Sequence, residues 1–246
     1  MRDFTNKRYW VVGASEGLGR AVAEKLNRMG AEVILSARSD DRLADLAKVL
    51  PGRSQVVPVD VSDSASVKKA AEEVGDIDGV LYLAGAYWPQ SAQEWNAEQV
   101  EAMIDVNLTG AVRVMGAVMP KFLEKGAGHI VLTGSLAAFR GLPGAIGYCA
   151  SKAGVMALAE SMYADLRGTG IDVQVINPGF VKTRLTDKND FKMPFIMEPE
   201  KAAHEFIEHM ETDSFHRSFP ELFSWVFRLG RFLPDWAYYP IFAPRR

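Results

Sequence analysis

Residues 9–19 read Tyr9-Trp10-Val11-Val12-Gly13-Ala14-Ser15-Glu16-Gly17-Leu18-Gly19, and the fold turns on how this stretch is read. Two aromatic and two β-branched residues make a short strand. It runs into a GxxxGxG turn, after which Ala21, Val22, Leu26 and Met29 recur at helical spacing along one side. In a strand–turn–helix setting the glycines have separate tasks: a tight turn, close approach of backbone to a pyrophosphate, and close packing of helix on strand. The free N–H groups at the helix start supply an anion site. Three glycines alone also describe an ordinary turn. Their place after the first strand and before an amphipathic helix makes them a dinucleotide signal, with Gly13, Ser15, Gly17, Leu18 and Gly19 as candidate contacts.

Working outward, short apolar runs at 33–35, 55–61, 80–83, 129–133 and 173–176 alternate with segments of helical period. Those helical segments are Leu43, Leu46, Ala47 and Leu50, then 65–74, then 97–124 throughout, then 146–167. A weaker last strand falls around 214–219. Continuously apolar strands, each followed by a helix, predict a parallel sheet covered on both faces. The expectation is a single-domain, Rossmann-like doubly wound α/β fold over residues 1–246, with about seven strands. Residues 213–246 would form an aromatic-rich C-terminal extension of that domain.

The bulk properties narrow the function. A net charge of −3 lacks the basic stripe of a nucleic-acid binder. One cysteine, Cys149, excludes an intrachain disulfide and suits a reducing compartment. Four scattered histidines and that cysteine form no metal-ligand cluster. The first apolar run is too short for a signal core or a membrane span, so a cytoplasmic location is expected.

Cofactor choice is set where the second strand ends. The sequence there is Ser36-Ala37-Arg38-Ser39, without the carboxylate that would hold a ribose 2′-hydroxyl. Arg38 offers a planar fork for a 2′-phosphate and Ser39 a hydroxyl donor, against the plain alternative of a solvated loop arginine. Glu16 cuts the other way by repelling a phosphate, unless it faces solvent at the positive end of the helix dipole. NADP(H) is the expected cofactor. Tyr148 and Lys152 lie four residues apart in a predicted helix and so share a face. A free tyrosine, with a pKa of about 10, is a poor base near neutrality, and an adjacent ammonium would lower that value. Ser135 follows the fifth strand at its carboxyl end, where open parallel sheets bind ligands.

With these residues assembled, the chain resembles a short-chain dehydrogenase/reductase over nearly all its length through Thr183. Gly13, Gly17 and Gly19 match that family's glycine loop, and Asp60-Val61 its adenine-contacting position. Asn107, Ser135, Tyr148 and Lys152 match its catalytic positions, while Ala84-Gly85, and Pro178-Gly179 with Val181 and Thr183, match segments beside the nicotinamide. The resemblance implies that Ser135 polarises a carbonyl, Tyr148 donates the proton as hydride arrives, and Lys152 holds the nicotinamide ribose and depresses the Tyr148 pKa. It also implies that Asn107 anchors a relay water and that dimers or tetramers form through 97–124 and 146–167. One departure stands out: the family's Asn-Asn-Ala-Gly turn is here Tyr82-Leu83-Ala84-Gly85. The asparagine braces are gone, so altered local packing is expected with the chemistry intact.

Tyr87, Trp88, the loop 136–142 (with Phe139 and Leu142) and the segment 185–197 (with Phe191, Met193, Phe195, Ile196 and Met197) would border an apolar carbonyl or alcohol substrate, unless they pack into the core or a dimer contact. Arg140 reads as a solvent-facing loop arginine, or else as an anchor for an anionic group. From Phe215 onward stand ten of the chain's twenty-five aromatics and five arginines against two acids, a balance of +3 that leaves −6 for the rest. On a helix over 221–233, Leu222, Phe223, Val226, Leu229 and Leu233 would share a face opposite Ser224, Arg228 and Arg231. The favoured reading buries this tail against the body or a subunit partner. A lid over an apolar substrate and a peripheral membrane contact are the alternatives. For the whole chain, a carbonyl reductase or alcohol dehydrogenase leads, ahead of a 3-oxoacyl thioester reductase and of an NADP-binding sensor without turnover.

Overall fold

A computed structural model of the chain describes residues 1–243. Seven parallel strands form one sheet: β1 (Arg8–Val12), β2 (Glu32–Ser36), β3 (Ser54–Val56), β4 (Gly79–Tyr82), β5 (Gly128–Thr133), β6 (Ile171–Pro178) and β7 (His216–Phe219). Their spatial order is β3-β2-β1-β4-β5-β6-β7. The Rossmann-like doubly wound fold expected from the sequence is therefore the one observed. Helices α1 (Gly17–Arg28), α2 (Asp40–Val49) and α7 (Pro199–Met210) cover one face, closing a core around Val11, Leu26, Leu35, Leu81 and Phe206. Helices α3 (Ser64–Val74), α4 (Ala97–Ile104), α5 (Gly110–Lys125) and α6 (Ile146–Leu166) lie on the other side, where the core gathers Trp10, Val80, Val114, Phe122 and Val155. With both faces buried, the strands have no polar side to show, which is why they read as continuous apolar runs.

The structure departs from the sequence expectation in several places. The third strand is regular only over Ser54–Val56, since it lies at the sheet edge. Beyond it, Val57 and Val59 still donate to Leu35 and Ala37. Residues 97–125 are helical throughout, but a π-helical turn, Asp105–Thr109, interrupts them. By length and composition this helix could cross a membrane, yet Met103, Ala111, Val114, Val118 and Phe122 are buried under the sheet. Helix α7 begins with Pro199, whose missing N–H costs nothing there, and seats Ala202, Ala203, Phe206, Ile207 and Met210 beside α1.

The tail forms α8 (Glu221–Gly230) and α9 (Asp235–Phe242); it buries Tyr238 and half-buries Phe223, Phe227 and Phe242, but leaves most of its other large apolar residues exposed. Leu222 is 78% exposed, Leu229 58% and Phe232 82%. Ser224, expected on the outer side, is fully buried and caps Glu221 O at 2.7 Å. The helix is thus rotated relative to the pattern-based expectation: Ser224 and Gly230 face inward with the half-buried Phe223 and Phe227, and the Phe180 and Phe195 rings lie 6.2 and 5.3 Å from that of Phe223. Arg245 and Arg246, which supply part of the tail's charge, lie outside the described residues.

Candidate active site

The chain leaves β1 towards β2 and β3 on one side and returns through β4 to β7 on the other, so a crevice opens at the carboxyl ends of β1 and β4. The glycine loop lines it. Gly13 has φ +100°, and a Cβ there would stand 2.4 Å from the Ala84 nitrogen. Gly19 is packed equally tightly on the Gly13 carbonyl. A Cβ on Gly17 would touch Thr183 Cγ2 at 2.7 Å. The three expected cofactor segments therefore meet: the loop with half-buried Ser15 and Leu18, the Ala84-Gly85 turn, and the stretch Pro178-Gly179 with Val181 to Thr183. Gly179 is fixed by its N–H to Phe219 O, 2.7 Å, and Val181 bridges to Met197.

At the far end of the crevice Arg38 is exposed and Ser39 is the residue before α2. The Asp60 carboxyl is held below the usual carboxylate range, chiefly by the Ser62 hydroxyl at 2.6 Å, with the Arg38 and Arg113 charges adding to it. The neighbouring Val61 carbonyl accepts from Arg113 at 3.0 Å. Glu16 is neutralised on two sides, by Arg42 at 2.7 Å and Arg184 at 2.9 Å. Its carboxylate does not stand as a bare charge in the loop.

The remaining residues converge beyond β5. Ser135 donates its N–H to Asn177 Oδ1, 2.9 Å, and its hydroxyl accepts from Ala137 N, 3.1 Å. Lys152 is buried and donates to Thr133 O at 2.8 Å. It lies 5.8 Å from the centre of the Tyr148 ring. Burial pulls the Lys152 ammonium down to about 8. The Tyr148 phenol is pushed up, first by burial, against the lowering effect of its hydrogen bond with Ser135. The net direction at Tyr148 is therefore upward, opposite to the depressed value expected beside an ammonium, because burial dominates. Asn107 is fully buried, and its side chain brackets Ala86 (2.6 Å from N, 3.0 Å to O) and donates to Ser151 Oγ, 2.9 Å. With its amide so committed, the side chain braces the β4 turn.

Several residues here escaped sequence reasoning. Asn177, a fully buried polar residue in an apolar strand, holds Ser135 in place, and only a glycine at 134 leaves it room: a Cβ there would lie 1.9 Å from Asn177 Oδ1. Ser151, one turn from Tyr148, links Asn107 to the Tyr148 carbonyl at 2.9 Å. Tyr82 replaces the missing asparagine brace. Its buried hydroxyl donates to Val106 O, 2.5 Å, inside the π turn that carries Asn107. Tyr82→Phe should leave that carbonyl unpaired, costing about 1–3 kcal/mol of stability and lowering kcat with little change in cofactor KM. A thermal melt beside steady-state kinetics reads both, and an unchanged kcat would remove the brace role.

The substrate-side expectations divide. Tyr87 packs edge-on against Tyr148 at 5.0 Å and donates to Asn189 Oδ1, 2.7 Å. Lys188 lies over Trp88 at 4.2 Å. Phe191, Phe195 and Ile196 are exposed. Phe139, however, packs against His216, and Met197 is buried in the core. Arg140 neither faces solvent freely nor waits for an anion. It donates to Leu233 O at 2.6 Å, pairs with Asp235 and lies 3.9 Å over the Tyr238 ring, fastening the tail.

A glycine-rich cradle opening onto a Ser–Tyr–Lys cluster, with Ser135 and Lys152 buried and Tyr148 half-buried, at the carboxyl end of a parallel sheet is the arrangement of a Rossmann-type nucleotide-binding protein. Comparison with known proteins narrows the class. The family model for short chain dehydrogenases matches residues 7–193, and the chain belongs to that family. It is 36% identical over 242 residues to an uncharacterized oxidoreductase of Myxococcus xanthus, covering 96% of both chains. One from Staphylococcus epidermidis is 35% identical over 185 residues, 74% of this chain and 80% of that one. Among solved structures, a short chain dehydrogenase/reductase of Burkholderia phymatum in complex with NAD superposes with TM-score 0.86 at 25% identity, over 93% of this chain and 94% of that one. An alcohol dehydrogenase of Thermococcus sibiricus complexed with 5-hydroxy-NADP does so with TM-score 0.77 at 27% identity, over 87% and 94%.

Proposed function

We propose that this oxidoreductase transfers hydride between NADP(H) and the carbonyl or alcohol carbon of a hydrophobic small molecule. The observation that carries the reading is the convergence of Ser135, Tyr148 and Lys152 beside the glycine cradle. The cradle fits a dinucleotide: Gly13, Gly17 and Gly19 stand where any Cβ would collide, so the backbone turns tightly into the start of α1, whose first N–H groups offer an anion site. The buried Thr133 hydroxyl is unpartnered and Lys152 has donors to spare. A bound nicotinamide supplies the hydride chemistry, and the rest falls to the chain. Gly13, Ser15, Gly17, Leu18 and Gly19 hold the pyrophosphate, Arg38 and Ser39 the 2′-phosphate, and Asp60-Val61 the adenine. Ala84, Gly85, Pro178, Gly179, Val181 and Thr183 wall the nicotinamide half.

In reduction, the Ser135 hydroxyl donates a hydrogen bond to the substrate oxygen and orients it. Tyr148, protonated at neutral pH because burial raises its pKa, gives that oxygen its phenolic proton. The Lys152 ammonium stabilises the phenolate so formed, and Asn107 and Ser151 keep the tyrosine's helix turn in register with the β4 turn. Reductive kcat/KM should hold through neutrality and fall as pH rises through about 8, where Lys152 in the free enzyme gives up its charge. A profile level well past that pH would take Lys152 out of the role. The molecule is read as a homodimer or homotetramer through α4–α5 and α6.

The test is oxidation of NADPH, with NADH in parallel, against ketones, aldehydes and 3-oxoacyl thioesters. Turnover with NADPH, little with NADH, and loss of that preference in Arg38→Ala are expected. Turnover confined to the thioesters would place the chain in acyl-chain reduction. Tight NADPH binding without turnover on any compound would favour a sensor.

A further inference from the structure

We propose that α8 and α9 form a docking face for an anionic lipid surface. Along these helices Leu222, Val226, Leu229, Phe232, Trp236 and Ile241 all stand in solvent, the last three at 82%, 81% and 64% exposure. Leu222, Val226 and Leu229 recur at i, i+4 and i+7 on one side of α8, and an exposed apolar face of this kind marks an interaction site rather than scattered surface leucines. The exposure is built into the fold. The buried Ser224 and Tyr238 are on the inner side, and Tyr238 donates to Gly141 O at 2.8 Å. Arg140 grips the Gly230 and Leu233 carbonyls. The tail is therefore fastened with its apolar side outward, and the body cannot cover it.

The character of the face selects its occupant. Trp225, Trp236 and Tyr239, each with an apolar ring and a polar tip, are exposed along it, as residues of a membrane–water boundary are. The Arg228 guanidinium lies 4.3 Å over the Trp225 ring and Arg231 is exposed beyond it. Arg228 and Arg231 are the cations that α8 and its C-terminal cap bring beside this face, with Glu221 at the helix start the one acid on that helix. Aromatic and aliphatic side chains on the exposed face, with arginines at its border, match acyl chains and headgroup phosphates together. A second copy of the chain fits less well, since a two-fold contact through this face would bring Arg228 and Arg231 of both copies into one interface. The face continues into the exposed Phe195 of the segment bordering the cleft, through the Phe195–Phe223 contact at 5.3 Å. On the reading of a hydrophobic substrate given above, the cleft would then open toward the lipid phase.

Sedimentation with phosphatidylcholine vesicles, and with vesicles that also contain phosphatidylglycerol, tests the proposal without requiring turnover. Binding is expected to the phosphatidylglycerol vesicles and to weaken with salt. The Phe232→Ser/Trp236→Ser double variant should bind at least about tenfold less while still binding NADPH, which shows that it is folded. Arg228→Gln/Arg231→Gln should lose the salt-sensitive part. Failure of the wild type to sediment with either vesicle would overturn the proposal. So would a dimer in light scattering that the Phe232/Trp236 variant splits, since a second copy would then own the face. An enzyme that binds vesicles but reduces nothing would sink the catalytic reading alone.

Discussion

Tyr148→Phe is expected to lower turnover by roughly 10²–10⁴-fold, the span a positioned general acid contributes, while NADPH binding persists. The substitution removes one oxygen and keeps the ring, so the edge-on contact with Tyr87 and the helix turn around Ser151 survive. Ser135 and Lys152 also remain, and with them orientation of the substrate oxygen. What is lost is the proton. Binding is read from NADPH fluorescence and chemistry from single-turnover oxidation. Loss of both together would mean that the residue is structural.

Gly13→Ala should be the most damaging single change to the cofactor cradle. At φ +100° an alanine is strained, by about 1–3 kcal/mol. Its Cβ also meets three backbone atoms of Leu83 and Ala84 at 2.4–2.7 Å. Those atoms belong to the sheet's carboxyl edge and cannot swing aside as a flexible side chain would, adding a further ~1–3 kcal/mol of overpacking. For a chain of this size the sum lowers Tm by about 5–20 °C. Because relief requires the loop and the Ala84-Gly85 turn to part, the NADPH-induced rise in Tm should shrink or vanish. A variant that melts like the wild type and is equally stabilised by NADPH would show that the two segments are not pressed together.

Much of the fold was open to reading in residues 9–19 and in the apolar runs that follow. A parallel strand buried on both faces leaves an unmistakable run, and a glycine turn before an amphipathic helix leaves another. The spacing of Ala202, Ala203, Phe206, Ile207 and Met210 is equally plain, so α7 was within reach of the same rule. The site was legible wherever chemistry demands a particular residue type: a phenol, an ammonium four residues on, a hydroxyl after a strand. Asn177, Ser151 and Tyr82 were not, since each acts through one hydrogen bond to a segment distant in sequence. A polar residue inside an apolar strand signals only that some partner exists.

The tail marks the boundary between the two kinds of knowledge. Its sequence determined that α8 would be amphipathic, because a 3.6-residue period sorts side chains by face whatever the surroundings. Which face turns inward was decided by the tertiary structure. The body engages α8 and α9 through Phe180 and Phe195 at Phe223 and through Arg140 at Tyr238, which turns Ser224 and Tyr238 inward and leaves Leu222, Leu229 and Trp236 outside. The same holds for Tyr148. Its candidacy as an acid was readable from Lys152 four residues on, whereas the direction of its pKa was set by burial, a product of packing. Periodicity and residue type are local, and a sequence carries them openly. Desolvation and the choice of buried face depend on what else occupies the space, and only the assembled chain determines that.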